Sequence, residues 1–444
     1  MNKITISEVC NVTKGNIGIT KAIPGSYPLV TTGAERLSHN EYQFNCKAVC
    51  VPLVSSTGHG HASIKRIHYQ EGKFAIGNIL AAITSKDENV LDSKYLYIYL
   101  SVLKDRILVP LMQGTANVSM SVKVIKKAMI DLPSIEKQKE IVETYQYILP
   151  IWESLDNLYK NQQSLINNMR ESIIQLAVQG KLVPTEHDLS KIEGSTYEAA
   201  DKILELIFEE RCKEWEKKKK GKKLVEPKKP EVTGFSSLNE GWTYTFLESI
   251  LSYDRSGMKT GPFGSLLKKY EHRAEGVPVF GIENVKNMKF VPGNKIYITK
   301  EKANQLSGYD VKPDDILISR SGTIDEICVV PKEVEDARFS TNLMRVTLHP
   351  NSMLPNFFCL LFSGSPFVLG QVSQLCKGTT RKFLNQKILS SIVFPLPPLE
   401  EQKRIVTKVD QLMALCDQLE VKIRQAQSDS DILMEVAVSH LLEV

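Results

Sequence analysis

The chain has 444 residues, more than one ordinary core holds and about right for two or three domains of roughly 100 to 200 residues. Hydrophobic residues at 42% and charged residues at 24% exclude a disordered or a fibrous chain. Lys and Arg number 56 against 51 Asp and Glu, so bulk charge (+5) cannot argue for nucleic acid or an anionic membrane, and any basic surface is local.

The start, MNKITISEVCNVTKGN, lacks the apolar core of a signal peptide, and no run of about 18 apolar residues follows anywhere. The expectation is a cytoplasmic protein with no membrane partner. Eight scattered cysteines agree with a reducing compartment. Short apolar runs at Ala48–Val54 and Phe74–Ile83, broken by Gly, Pro, Asn and Ser, predict strands, and Tyr95–Leu103 predicts a helix.

After Leu132-Pro133 the pattern changes. Ile141, Tyr145, Ile148, Trp152, Leu155, Tyr159, Gln162, Ile166, Met169, Ile173 and Leu176 follow alternating steps of four and three, a heptad seam. Beyond it, Ser195 or Thr196 is expected to cap a helix through Ala199, Ile203, Leu206 and Ile207 that runs into the basic stretch Lys217–Lys223. Strand-like runs return at Asp315–Ser319 and Leu343–Leu348, an aromatic helix at Phe357–Phe362, and a second seam at Ile405, Val409, Leu412, Cys416, Leu419, Ile423, Ala426, Ser430, Leu433, Ala437 and His440.

The second half repeats the first. Gly114-Thr115 and Gly378-Thr379 differ by 378 − 114 = 264, and that offset aligns Leu132-Pro133 with Leu396-Pro397, Glu136 with Glu400, Gln138-Lys139 with Gln402-Lys403 and Ile141-Val142 with Ile405-Val406. Upstream it pairs Gly58 with Gly322 and Asn78 with Asn342, slipping by two where Tyr95 matches Phe357, and extra residues of the second copy fall around Gly261–Gly276. The segments are a globular domain 1–134, a long helix 135–181, a charged helical linker 182–240, a second globular domain 241–398 and a second long helix 399–444. Each helix of about 40 residues is about 60 Å long and cannot stand alone in water, so the two are expected to pack on each other.

The tandem arrangement, the repeated LPxxExQK and the tract Arg170-Glu-Ser-Ile-Ile-Gln-Leu-Ala-Val-Gln-Gly-Lys-Leu182 resemble the specificity subunits of type I restriction-modification enzymes. Gly261-Pro-Phe-Gly-Ser265, Gly276-Val-Pro-Val279 and Asp315-Ile-Leu-Ile-Ser-Arg-Ser-Gly-Thr323 resemble that family's target recognition domain, with Ser55-Ser-Thr-Gly-His-Gly-His61 in the corresponding place of the first copy. The resemblance implies an α+β fold: two tandem mixed α/β target recognition domains separated by two long helices in an antiparallel coiled coil, a pseudo-twofold internal repeat. It implies a non-catalytic reader of double-stranded DNA in which each domain recognises half of a bipartite asymmetric site. It also implies docking of two modification (methyltransferase) subunits and of motor-nuclease restriction subunits. S-adenosylmethionine, ATP and Mg would then sit on those partners and no cofactor on this chain.

The DNA-contact candidates are Ser55, Ser56, His59 and His61 in the first domain, and Lys268, Lys269, Arg320, Ser321, Thr323, Lys377, Thr379, Arg381 and Lys382 in the second, with Ser265 and Thr380 as further hydroxyl donors. Arg320, after a strand and before Ser321-Gly322, is expected to project toward a groove and contact a guanine or a phosphate, with Ser56 in its place in the first copy. Partner-docking candidates are Ile141, Ile148, Trp152, Leu155, Ile405, Leu412 and Leu419. A protein-binding coiled-coil scaffold without DNA binding is the alternative.

Enzymatic readings lack their motifs. No GxxxxGK[ST] loop exists, and the only Pro-Pro, Pro397-Pro398, is followed by Leu399 rather than an aromatic residue. Pro313-Asp314 begins like a metal-dependent nuclease motif but Glu326-Ile327-Cys328 lacks its lysine, so Pro313-Asp314-Asp315 reads as a turn entering a strand. Cys46, Cys50, His59 and His61 have no common zinc spacing, and two residues four apart on an extended strand stand about 13 Å apart. They read as packed thiols and loop histidines, with no metal site.

Overall fold

A computed structural model describes residues 2–57, 61–114, 118–219, 234–235, 237–253, 255–262, 266–320, 326–375 and 384–443. The chain forms two compact units, Met1–Gln163 with Val421–Val444, and Ser164–Glu420. Among the described residues no single helix is long and apolar enough to cross a membrane.

Both globular domains are built from the same strands. In the first, Cys10–Lys14, Leu80–Ser85, Ala48–Pro52 and His68–Gln70 lie side by side in that order, all antiparallel. A second sheet orders Leu37–His39, Tyr27–Val30, Lys73–Ile76 and Phe44–Asn45, with Tyr27–Val30 and Lys73–Ile76 parallel. In the second domain the corresponding sheets are Met258–Thr260, Leu343–Val346, Ile316–Ser319, Ile327–Val329, and Tyr297–Ile298, Val277–Phe280, Ala337–Phe339, Asp310–Val311, again with one parallel pair. The run Phe74–Ile83, read as one strand, is two, because Gly77-Asn78 turn the chain from one sheet into the other. The central strands Ala48–Pro52 and Ile316–Ser319 are buried at every position, as an element covered on both faces must be.

The extra material of the second domain lies mostly after Val277–Phe280 rather than before it. A hairpin, Val285–Lys286 with Lys289–Phe290, and the helix Lys300–Gln305 have no counterparts in the first domain. Asn287 and Met288 turn that hairpin with positive φ (50° and 59°).

A two-stranded ribbon closes each domain and leads into a long helix. Asn2–Thr5 pairs with Met129–Leu132 before the helix Ile135–Val178, and Thr243–Phe246 pairs with Val393–Leu396 before Leu399–Glu443. The glutamine of the repeated ExQK anchors the junction. Gln138 is fully buried; its Oε1 accepts from the Asp92 N–H at 2.8 Å and its Nε2 donates to the carbonyls of Val90 and Pro133 at 2.9 Å. Gln402, equally buried, does the same with the Leu354 N–H (2.8 Å) and the carbonyls of Ser352 (3.1 Å) and Pro397 (3.0 Å). Asp92 and Leu354 are the N-caps of the helices Ser93–Val102 and Pro355–Gly364, which differ by 262, the two-residue slip visible in the sequence.

The long helices run antiparallel within each unit. In the first, Gln427 donates to Asp156 at 3.1 Å while Val438 and Leu442 share a core with Ile141 and Val142. In the second, Arg170 pairs with Asp417 at 2.6 Å and Glu420 at 2.9 Å. The seam departs from the expected heptads in one respect. After Trp152 the inward positions are Asp156, Tyr159, Gln163, Ile166, Arg170, Ile173 and Ala177, so Leu155, Met169 and Leu176 are exposed. The second helix slips at the equivalent place: after Cys416 the inward set is Glu420, Ile423, Gln427, Ser430 and Met434, and Leu419 and Leu433 face out. A step of four where a three is due is a stutter, which relaxes the supercoil toward straight helices. Pro150 lies within the first helix, but its counterpart is Ala414, so proline is not the cause.

Of the charged linker, residues 182–219 are described and held in place, and the basic stretch beyond Lys219 lies outside the described residues. Ser195 and Thr196 do not cap its helix, which runs Ala200–Lys219 and begins on the Ala199 carbonyl; Thr185 instead caps a preceding helix, Glu186–Glu193. Arg211 donates to the carbonyls of Glu248 (2.7 Å) and Leu251 (3.3 Å), and Glu210 accepts from Tyr253 at 2.7 Å, so the helix is fastened to the second domain. At the foot of the second long helix, the fully buried Glu401 accepts from the Glu186 N–H and the Trp242 indole, both at 2.9 Å.

Candidate DNA interface

In each domain the residues directly after the central strand are hydrogen-bonded both to the segment preceding a short helix and to the turn before the neighbouring strand. In the first domain Leu53 donates to Ile79, Met120 to Leu53 and Ser55 to Val118, which brings Leu53–Ser55 against Val118–Met120. Gly15 lies so close to the Gly77 carbonyl that a Cβ has no room there. In the second domain Arg320 donates to Asn342 and Leu384 to Arg320, while Gly261 lies against Ser340 in the same way. Tracts far apart in sequence thus converge on one patch, and the convergence is repeated.

These backbone bonds also correct the alignment at the loops. Arg320 occupies the place of Leu53, not of Ser56, and Thr341 that of Asn78, because the first domain's loop between central strand and edge strand is longer. Arg320 does not project toward a groove. Its side chain is inside the domain, 3% exposed, with Nε donating to the Leu384 carbonyl at 3.3 Å and Nη1 to the Thr341 carbonyl at 3.1 Å, and burial lowers its pKa. A guanidinium with donors committed to carbonyls on two neighbouring segments acts as a bracket between loops rather than as a reader of bases.

The first domain holds its longer loop with hydroxyls. Ser55 Oγ donates to the His61 carbonyl at 2.6 Å and accepts from the Ser63 N–H at 3.1 Å; Ser56 Oγ accepts from the Lys65 N–H at 2.9 Å. Ser55 and Ser56 are therefore staples of the loop neck, and His61 stands exposed at its edge. Lys268 and Lys269 are exposed on the second domain's first loop. His59, Ser265, Ser321, Thr323, Lys377, Thr379, Thr380, Arg381 and Lys382 lie outside the described residues.

No group of His, Cys, Asp and Glu among the described residues could hold a metal. Cys46 lies outside the strand that holds Cys50, and burial pushes both thiols up, Cys50 to about 12. Asp315 is a structural anchor: almost fully buried, it accepts from the Lys312 N–H (2.7 Å) and Thr347 (2.6 Å) and pairs with Arg255.

The docking candidates divide by exposure. Ile141 and Ile405, in the second turn of each long helix, are buried in the chain's own packing; Ile148, Trp152 and Leu412 are half-buried in the seam. Leu155 and Leu419 are exposed, 38% and 44%, and belong to outward rows that also hold the equivalent pairs Ile151 with Leu415 and Met169 with Leu433.

A duplicated α/β domain that ties separate segments together at the end of its central strand, each copy followed by a long helix, defines a class of tandem recognition proteins. The family model of the type I restriction modification DNA specificity domain matches residues 1–173 and again 239–426, and the chain belongs to that family. Among curated proteins it is similar to the EcoBI specificity subunit of Escherichia coli, 23% identical over 309 residues (69% of this chain, 56% of that protein), and to the EcoAI specificity subunit of the same organism, 23% over 341 residues (74% and 53%). The chain spans about half the length of the curated relatives it matches. A solved structure described as the structural basis of complex assembly and conformational transition of the type I R-M system shares the fold, with a TM-score of 0.63 at 14% identity, covering 99% of this chain and 97% of that one.

Proposed function

We propose that the chain is the sequence-specific DNA-binding specificity subunit of a type I restriction-modification complex, each domain reading one half of a bipartite asymmetric site in double-stranded DNA. The observation that supports this most is the contrast between frame and loops. The Gln138 and Gln402 brackets and the strand order are the same in both copies, whereas the residues that close the loops differ. A protein reading two different half-sites needs that division. In this reading the outward rows at Leu155 and Leu419 dock modification and restriction subunits, which bring S-adenosylmethionine, ATP and Mg; this chain carries no cofactor, does no chemistry itself and works in the cytoplasm.

Two tests follow from this reading. Purified alone with labelled S-adenosylmethionine, the chain is expected to transfer no methyl group to DNA; transfer by the single chain would overturn the non-catalytic assignment. Removing Ile148–Ser154 together with its equivalent Leu412–Gln418 takes one heptad from both helices, and the spacer accepted between half-sites is expected to shorten with both half-sites unchanged. Altered half-sites would end the spacing role, and undiminished partner assembly with no DNA bound would favour the scaffold.

A further inference from the structure

Each domain carries, directly after its first loop, a single tight turn whose exposed side chains the fold does not use. In the second domain the 3-10 turn Lys269–Glu271 displays Tyr270 with 72% of its surface exposed, flanked by the exposed Lys268 and Lys269. The foot of the turn is tied down. Glu271 accepts from the Lys268 N–H at 2.6 Å and pairs with Lys302 at 2.7 Å; Arg273 donates to the Tyr270 carbonyl at 2.9 Å, and its backbone bridges to Tyr297. In the first domain the 3-10 turn Ile19–Lys21 occupies the same place. It displays Ile19 and, just beyond, Ile23, 41% and 59% exposed, and is tied at Ile23 to the buried His39 (3.2 Å) and to Asn40. It leaves the patch at Ile17, which bridges to Gly77 where the loops converge.

A large apolar side chain held out on a fixed turn, with lysines beside it and no core reason for its exposure, fits the wall of a DNA groove: the lysines meet phosphates and the apolar surface packs on a base edge or sugar. The ammonium of Lys268, 5.6 Å from the Tyr270 ring centre, keeps the ring face beside a cation that a phosphate can share. We propose that these turns are a second DNA-contacting element in each domain, Tyr270 packing its ring on the duplex in the second half-site and Ile19 making an aliphatic contact, suited to a thymine methyl, in the first. This inference rests on the DNA-reading assignment above.

The test uses the full-length chain and a random duplex library, from which the wild-type chain selects its site. Affinity for the selected duplex is then read by fluorescence anisotropy at several salt concentrations. Tyr270→Ala is expected to lose about tenfold in affinity with an unchanged salt slope, and Tyr270→Phe to keep most of it; Lys268→Ala with Lys269→Ala should make the salt slope shallower by about two ions. Ile19→Ala should relax preference only in the other half-site. Wild-type selection with Tyr270→Ala and Ile19→Ala binding as wild type would overturn the inference and leave the DNA reading intact. No selection by the wild type would overturn that reading first. Because both side chains are exposed, loss of fold is checked simply by unchanged thermal unfolding.

Discussion

The two domains solve one problem by different chemistry. After its central strand the second domain has a short connection to its edge strand, and at the strand's end the buried guanidinium of Arg320 ties Thr341 to Leu384, whereas the first has a longer connection, fills the Arg320 position with Leu53 in the core, and staples the loop neck with Ser55, Ser56 and Thr57. A short loop leaves carbonyls of adjacent segments pointing at one another, and a fork of donors satisfies them. A longer loop can satisfy its own backbone, so an apolar residue suffices beneath it. The difference shows where the repeat tolerates change: above the strand ends, and not at the ribbons and glutamines that carry the helices.

That comparison is broken most forcefully at the glutamines. Gln138→Leu and Gln402→Leu each leave a buried N–H and two carbonyls unpaired, and each is expected to destabilise its own unit by about 3 kcal/mol, read by urea titration with peptide-resolved hydrogen exchange. Unequal costs would mean that the repeated geometry is not energetically equivalent. Next in size, Arg320→Ala should cost the second unit about 2 kcal/mol, while Ser56→Ala, which removes one exposed acceptor, should cost the first under about 1 kcal/mol. DNA affinity of Arg320→Ala is expected to fall on all positions of the second half-site together. Relaxed preference at one base pair alone would return Arg320 to the role of a base reader.

Much of this arrangement was legible in the sequence, and the part that was not has physical causes. The 264-residue offset and the two-residue slip before Phe357 follow from motifs, and the mutual packing of the long helices from periodicity, which reports burial directly; their antiparallel sense was what the family resemblance implied. The stutter was hidden because Leu155, Met169, Leu419 and Leu433 are apolar and continue the heptads perfectly well; only burial shows that Asp156, Arg170 and Glu420 point inward, where they pair across the helices or along them. Arg320 was misjudged because a cation after a strand in a Ser-Gly context signals exposure, and its acceptors, the carbonyls of Thr341 and Leu384, come from distant segments whose sequences announce nothing. The signal for Gln138 and Gln402 was present, a glutamine repeated beside Leu-Pro, but a glutamine in a first helical turn reads as solvated until its three partners are seen.

The smallest expected effect sharpens the comparison at the feet of the helices. Where the second helix has the buried Glu401, holding the Glu186 N–H and the Trp242 indole, the first has Lys137, paired on the surface with Glu140 at 3.0 Å. Burial outweighs those two hydrogen bonds and the nearby Arg404, so the pKa of Glu401 is raised above its ordinary value of 4.5. A carboxyl whose pKa is higher folded than unfolded binds its proton more tightly in the native state. Its stabilising contribution is present below about pH 4.5 and is lost as pH rises through the folded value. Glu401→Gln cannot titrate, so the stability of wild type relative to this variant is expected to decline with rising pH across that window in the second unit. Trp242 fluorescence, in a background with Trp152 and Trp215 changed to Phe, follows the titration locally. A wild type that instead gains on the variant as pH rises would show that the indole and amide bonds to the ionised carboxylate outweigh its burial, and that the linker is locked onto the helix by charge.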